Sequence, residues 1–539
     1  MDFEALNRRF EKARNSRGTW DDTFQQIAER VLPQMADFVS QREKGARRTE
    51  KMYDATAALA AQRATAAVAS FFWPSNQRYQ KLTTDDQALN KVHRVKSYLE
   101  AVTDTLFASR YSPRAAFEAQ MGEASLQFFV FGTGLMFVDE QMGQSLRYKA
   151  LNLAQTYVCE GANGHVDTVF RCWKWSLRQI EQKWPGKLPS DLQSKLEKNP
   201  DEEIEVAHAV LPRDDYDPGK LGPLGMPWAS CYWIPSKKSK LDEGGFTSWP
   251  FGVMRYMTSP GEVYGRSPAW LALSDIRVLN TMKRTTLAAA QKVADPPLLA
   301  SEDGILGAFS QAPGYLNFGG LGANGEPMVK PLQTGGDVRL SIEMMDKERE
   351  IIGSAFMLDV FRALVENPQM TATQALELMQ ERATIMSPIG GRLESEGLGP
   401  ITERELDLLQ RAGQLPEMPP ELIEAQGEYK IEYTSPMRKA MRASEAIAIS
   451  RTLEAIMPVA QVDPGVLDVF DMEATARELA DINGYPVKGL RSPEAVMAMK
   501  EDRTNKEQAA ALLEAAPAVS STAANLAKMQ ASGGLQPGA

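Results

Sequence analysis

Apolar residues recur at helical spacing through the first third of the chain. The pattern predicts amphipathic helices over 2–15 and 20–31 and an Ala-rich helix from Arg47 to Phe72 that Pro74 stops. Two more helices are expected near 91–109 and 114–131, the second opened by Ser112-Pro113 as cap and first-turn proline. Between Gly134 and Tyr256 the period changes. Short runs rich in Val, Phe, Tyr and Trp (GLMFVDE, SLRYKAL, TVFRCWKW, EIEVAHAVL, ASCYWI, FGVMRYM) alternate with Gly, Pro and Asn, which is the signature of strands. Ile204, Val206, His208 and Val210 share one face of their run, predicting a strand with one buried side. A short helix near 176–184, capped by Ser176, interrupts the set, and 212–227 reads as a surface loop.

From Ser267 the helical period returns. Ser267 caps, Pro268 fits the first turn, and the helix runs over 268–294, about 40 Å at 1.5 Å per residue. Asp295-Pro296-Pro297 ends it, a Gly-rich β-like stretch follows to Gly336, and a second helix runs back from Asp337 to about Ile352. Residues 357–370 form a connector. Thr371 with Gln374 makes a capping box for another long helix, expected to kink at Pro388 and Gly390-Gly391 before resuming to about Ala412. Helices are expected over 436–457, 471–482 and 492–514, and the tail from Ala515 has no aromatic residue to anchor it. The fold class expected is α+β, predominantly helical, with no repeat of fixed period.

The 539 residues leave room for three to four domain-sized units, and 43% hydrophobic with 24% charged residues excludes wholesale disorder. Lys plus Arg is 60 against 70 Asp plus Glu, a net charge of −10, which argues against a chain whose task is to grip nucleic acid. The charge is uneven. Residues 403–434 carry a net of −5, and the helical stretch 266–295 a net of +3. The plain reading is solvated helix faces; the functional one is a weakly basic ring against a polyanion, or a salt-bridged seam between copies. Arg438, Lys439 and Arg442 sit in the first turns of a helix, where the dipole disfavours cations, which points to a contact with the acidic stretch just upstream.

Cys159, Cys172 and Cys231 form no CxxC pair, so a disulfide scaffold or zinc ribbon is not expected and a reducing compartment is. The charged N-terminus has no apolar core of a signal peptide, and the longest apolar-rich run, Leu126 to Val138, is too short to span a bilayer. A soluble protein made in the cytoplasm, without membrane partner, is the expectation. No P-loop, HExxH or GxSxG motif occurs, and His93, His165 and His208 lack metal-ligand spacing. His208 is expected to be a packed core histidine. Gly320, Gly322 and Gly325 satisfy GxGxxG, but Glu326-Pro327 follows where a helix should start, so a turn is expected. Asp214-Asp215 could in principle hold a metal for hydrolysis but has no evident third ligand. No catalytic, cofactor-binding or metal residue is assigned, and the chain is not expected to be an enzyme.

Four segments together resemble one family: YDATAALAAQRATAAVASFFWP (53–74), FGTGLMFVDE (131–140), residues 249–299 with their YGRSP…ALSDI…LN…DPP block, and residues 371–416. Over about 40–420 the chain resembles the portal, or head-to-tail connector, proteins of short-tailed, podovirus-type bacteriophages. The resemblance implies a dodecameric ring at one capsid vertex, through which double-stranded DNA is packaged and later ejected. It implies a wing (1–266 and 371–435), stem helices (267–295 and 337–356), a clip (296–336), a tunnel loop (357–370), a helical crown (436–514) and a flexible tail (515–539). The partners it implies are the packaging motor (terminase), a tail adaptor, capsid and scaffolding proteins, and DNA passing weakly and non-specifically. It marks Asp359, Arg362 and Glu366 as tunnel-loop contacts, Lys283, Arg284 and Lys292 as basic stem positions, and Gly320, Gly322, Asn324 and Gly325 as the clip tip. The alternatives are a phage scaffold protein without a channel, and the carboxylate hydrolase.

Overall fold

The computed structural model describes residues 3–40, 45–46, 49–86, 88–141, 144–300, 310, 312–317, 320–322, 324–332, 338–359, 381, 384–425, 429–461, 464–482, 485, 489–492 and 494–508. The fold is α+β, and its strands form small antiparallel groups. The chain divides into two compact units. One holds 1–80, 105–415 and 433–445; the other holds 81–104, 416–432 and 446–539.

In the first unit, α1 (Phe3–Ser16) and α2 (Gly18–Val31) are followed by α3 (Thr56–Phe72). The Ala-rich helix thus starts nine residues later than its composition predicts. Residues 53–55 are diverted: the Tyr53 and Asp54 amides donate to Asn280 Oδ1 at 2.7 and 3.0 Å, and Asp54 Oδ1 accepts from the Thr56 amide at 2.9 Å. An Asp that caps locally competes with helix, and tertiary partners decide the outcome. Likewise α5 (Phe117–Phe131) does not start at Ser112-Pro113; Ala116, at φ 59°, precedes it.

Strands β4 (Thr156–Glu160), β5 (Val166–Ser176), β6 (Glu203–Pro212), β7 (Trp228–Ile234) and β8 (Ser239–Phe246) form a meander in that order. Both faces of β6 are buried, not one. Ala207, Ala209 and Leu211 pack with Phe10 of α1, Cys231 and Trp233. On the other face Val206 packs with Leu177 and Ile180 of α6 (Leu177–Lys183) and Leu192 of α7 (Ser190–Lys198). Two covering layers remove the alternation that a half-exposed strand would keep. Ser176 caps α6 in a full capping box with Gln179, as its sequence predicts. His208 is fully buried: Nδ1 lies 2.7 Å from Arg171 Nη2, Nε2 lies 3.0 Å from Ser230 Oγ, and the ring stacks on Tyr232.

A second sheet orders β3 (Gln144–Leu151), β2 (Thr133–Gln141) and β9 (Phe251–Arg255). Gly134 lets α5 lie against it, because a Cβ there would stand 2.2 Å from the Ala124 carbonyl oxygen. Residues 384–392 are helical straight through Pro388 and Gly390-Gly391. The irregularity comes later, as a π-helical turn over Leu393–Leu398 that leads into α11 (Gly399–Arg411). The Gly399 amide reaches back to the Glu394 carbonyl, and Pro400, next in line, has no amide to give.

Three carboxylates on this segment hold three different elements. Glu405, wholly buried, accepts from Arg110 Nε at 3.0 and 3.2 Å and from the Tyr148 hydroxyl, while Arg110 also reaches Tyr79 and Thr402. Glu396 takes Arg255 in a two-point contact at 2.7 and 2.9 Å. Glu394 takes Arg438 Nε at 3.2 and 3.3 Å. The Arg438 partner therefore lies just ahead of the 403–434 stretch and not in it. That stretch is also no plain solvated face, since Glu405 has no exposure.

In the second unit, β1 (Gln80–Thr83), which starts in the first, pairs with β12 (Lys430–Tyr433). Arg94 lies 3.8 Å from Glu421 and Lys81 3.4 Å from Glu432. The Leu82 amide donates to Thr103 Oγ1 at 3.4 Å. Beyond 445 the described residues of the unit include helices over Met472–Ile482 and 494–508.

Removing one member of a sealed ion pair strands the other. Arg110→Ala is expected to cost about 3–5 kcal/mol, and the apolar pair Arg110→Met with Glu405→Leu markedly less. Urea unfolding followed by circular dichroism measures both; equal losses would mean that the charges themselves are needed.

Candidate functional site

The candidate site is the helical hairpin after residue 267 with its insert. Ser267 Oγ caps α8 (Pro268–Leu271) by accepting from the Trp270 amide at 2.9 Å. A break at Ala272 separates α8 from α9 (Leu273–Ala294), where the sequence predicts one helix. α10 (Val338–Ala355) packs back along α9. Between them β10 (Leu298–Ala300) and β11 (Val329–Pro331) pair antiparallel, so the insert closes on itself.

Among the described residues the hairpin's buried positions gather at one end. Ile276, Leu279 and Asn280 of α9 and Met345 and Ile352 of α10 are buried, whereas no α9 residue after Asn280 is. The 53–54 loop clasps both helices at this base. It binds Asn280 through its amides, and Asp54 Oδ2 lies 2.8 Å from Arg349 Nη2. Burial pushes the Asp54 carboxyl up, but hydrogen bonds from Thr56 and Arg349 outweigh it and hold the pKa below the ordinary value. The sequence reading missed this clasp; its one signal is a polar Asn280 inside an apolar helical stretch.

The marked residues fall as follows. Lys283 is half-buried and Lys292 exposed on α9, and neither has an ion pair among the described residues. Arg284 is exposed, with its guanidinium over the Tyr53 ring, 5.9 Å from the centroid. Gly320, Gly322, Asn324 and Gly325 form a turn closed by a bridge between Leu321 and Pro327. The Gly322 amide donates to the Glu326 carbonyl at 2.8 Å and the Gly325 amide to the Gly322 carbonyl at 2.9 Å, with Gly325 at φ 76°. No helix starts there, so the GxGxxG pattern is a turn and not a dinucleotide cradle. Asp359 is exposed just past α10, accepting from Ser354 Oγ at 2.6 Å. Arg362, Glu366 and the Thr371–Gln374 capping box lie outside the described residues.

Asp214 and Asp215 are exposed, and Asp215 lies 3.6 Å from Arg213. Among the described residues no group of three or more His, Cys, Asp or Glu could hold a metal, and no helix is long and apolar enough to cross a membrane.

The described residues thus give a hairpin of two long helices with a small β insert, and comparison with known proteins gives the chain its family. The profile of the family described as "Bacteriophage head to tail connecting protein" matches residues 4–490, and the chain belongs to that family. It is 26% identical over 513 residues to the probable portal protein of Bordetella phage BPP-1, covering 93% of this chain and 91% of that protein. It is 25% identical over 544 residues to the portal protein of Salmonella phage epsilon15, covering 98% and 96%. Its function is that of a phage portal, the head-to-tail connector, a structural component of the virion at the capsid vertex.

The Asp54 clasp gives a signed pH dependence. A carboxyl with a lowered pKa contributes stability above about pH 4 and loses it as the pH falls through the folded value. Asp54→Asn is expected to cost about 1.5–3 kcal/mol at neutral pH and to converge with the parent protein in acid. Melting temperatures of both proteins across the acid range check this.

Proposed function

We propose that this chain assembles as a ring of twelve around a DNA channel, with the α9–α10 hairpin as stem, residues 296–336 as clip and 357–370 as tunnel loop. One observation carries the reading. Along the hairpin beyond its clasped base, Leu287 and Val293 on α9 and Ile342 and Met344 on α10 stand 46–62% exposed. Apolar side chains left in the open on two long helices call for a covering surface, and neighbouring stems in a closed ring supply it.

The channel would act passively. Each phosphate that a protein neutralises releases counterions and adds affinity, so a channel through which DNA slides needs few cations and an acidic surround. A net charge of −10 with Lys283, Arg284 and Lys292 on the stem fits that need. Arg284 is partly engaged by Tyr53, which leaves the two lysines as the freer stem cations. Asp359, Arg362 and Glu366 would meet the duplex with weak mixed charge. The chain would have no enzymatic activity of its own; a separate ATP-driven packaging motor (terminase) would dock on the clip and a tail adaptor would replace it. Capsid and scaffolding proteins would surround the wing, and assembly would take place in the bacterial cytoplasm. The tip residues Gly320, Gly322, Asn324 and Gly325 would lie on the docking face.

Native mass spectrometry with negative-stain imaging tests the ring: a species of about twelve times 59.5 kDa with a central hole is expected. Leu287→Glu with Ile342→Glu should abolish it while leaving the subunit's circular dichroism unchanged. A compact dimer or tetramer without a hole would defeat the reading. Deleting 318–326 should leave the ring intact and remove binding of the motor and adaptor.

A further inference from the structure

A cleft of about 1030 Å³ opens between the two sheets of the first unit, away from the stem residues. Its walls follow from strand register. Phe137 and Asp139 alternate along β2 and pair across to Lys149 and Arg147 on β3, so all four share one face. Arg171, Trp173 and Trp175 alternate along β5 on the facing side. Lys183, at the end of α6, closes the far end over the Trp175, Trp184 and Tyr232 rings, 4.7–5.2 Å from their centroids.

The centre of the cleft is a buried guanidinium with no carboxylate in ion-pair contact among the described residues, Asp139 acting on it only at longer range. Arg171 is 8% exposed and lies over the Phe137 and Trp173 rings at 4.7 and 5.3 Å. Its hydrogen-bond partners are neutral: His208 Nδ1 at 3.1 and 2.7 Å, and Tyr232. Burial, with Arg171 beside it, holds the His208 pKa well below 6.5, so the imidazole stays uncharged. No carboxylate lies within ion-pair distance of Arg171, Lys149 or Lys183 among the described residues. Burial lowers the pKa of all three cations, and repulsion from Arg171 adds to it at Lys149 and Lys183, while Asp139 offsets it only in part at Arg171 and Lys183.

The geometry points to a docking cleft for an acidic peptide segment of a partner protein, its carboxylates meeting Arg171, Lys149 and Lys183 and its apolar side chains lying on Phe137, Trp173 and Trp175. A buried guanidinium offers carboxylate a planar, two-point match. The acidic members of the lining argue against DNA or another dense polyanion. Asp139 stands among the cations, and Glu203 and Glu205 line the same cleft. They would repel closely spaced phosphates, whereas a peptide backbone brings N–H donors for them.

The test uses the full-length protein and a short fluorescein-labelled peptide of alternating Glu and Leu, read by anisotropy. Saturable binding is expected, and the Gln and Leu counterpart should bind far more weakly. Arg171→Met should weaken binding roughly thirtyfold or more. It should keep or raise the melting temperature, because a buried unpaired charge is replaced by an apolar chain. Lys149→Met with Lys183→Met, at exposed positions, must also weaken binding without unfolding the chain, and decides the matter if Arg171→Met lowers the melting temperature. Absence of saturable binding, equal binding of the Gln peptide, or no effect of the lysine variants overturns the proposal. Displacement of the peptide by inorganic phosphate or duplex DNA at comparable concentration overturns it too, since the site would then be one for anions in general.

Discussion

Arg110 and Glu405 are sealed from water, and a pair of that kind holds only when every donor and acceptor around it is used. Here Tyr79, Tyr148 and Thr402 complete the set, so the end of α4 (His93–Arg110), β3 and α11 must all be in place before the pair forms. The cost of leaving either charge alone turns separate elements into one cooperative block. The segment before α11 extends the scheme with Glu396 to Arg255 and Glu394 to Arg438. The π turn matters because one extra residue in a helix rotates everything beyond it by about 100°. That rotation lets carboxylates on one segment face three different elements. Glycines on both sides allow the approach: a Cβ on Gly397 of the turn would stand 2.8 Å from Met254 Cγ, and one on Gly252 of β9 would stand 2.5 Å from Ile401 Cδ1.

Against this block the α9–α10 hairpin is anchored sparingly. Its base is dry and clasped by a loop that binds one helix through backbone amides and the other through a carboxylate. Its length beyond the base carries apolar side chains that the subunit leaves uncovered. In the proposed ring such a division has a use: the subunit fixes where the hairpin starts, and neighbouring copies would complete its packing. Among the described residues the insert is held by the β10–β11 pairing and a glycine turn.

The interior of the β-rich region shows a different economy of charge. Arg171 and His208 share a buried contact in which one is charged and the other neutral, with aromatic rings on both sides. Charge buried there without a carboxylate in contact costs stability, which the aromatic faces and the neutral His208 offset only in part.

The sequence was legible wherever a local rule had no rival. The Ser176 capping box, the Ser267 cap and the strand alternation from Gly134 to Tyr256 all depend on neighbours a few residues away. The glycine turn was legible for the same reason, because no helix could start at Glu326-Pro327. The start of α3 was not, because Asn280, far along the chain, takes the amides that a helix would use. Nor were the second buried face of β6 or the Pro388 helix legible, since packing against α1 and the placement of the π turn are settled by distant partners. Composition and order of elements by themselves determined the fold class, the long-helix, insert, long-helix plan and the absence of known nucleotide and metal motifs. Only the tertiary structure decided which charges are buried together, because periodicity records which face is apolar and says nothing about which carboxylate a given arginine will meet.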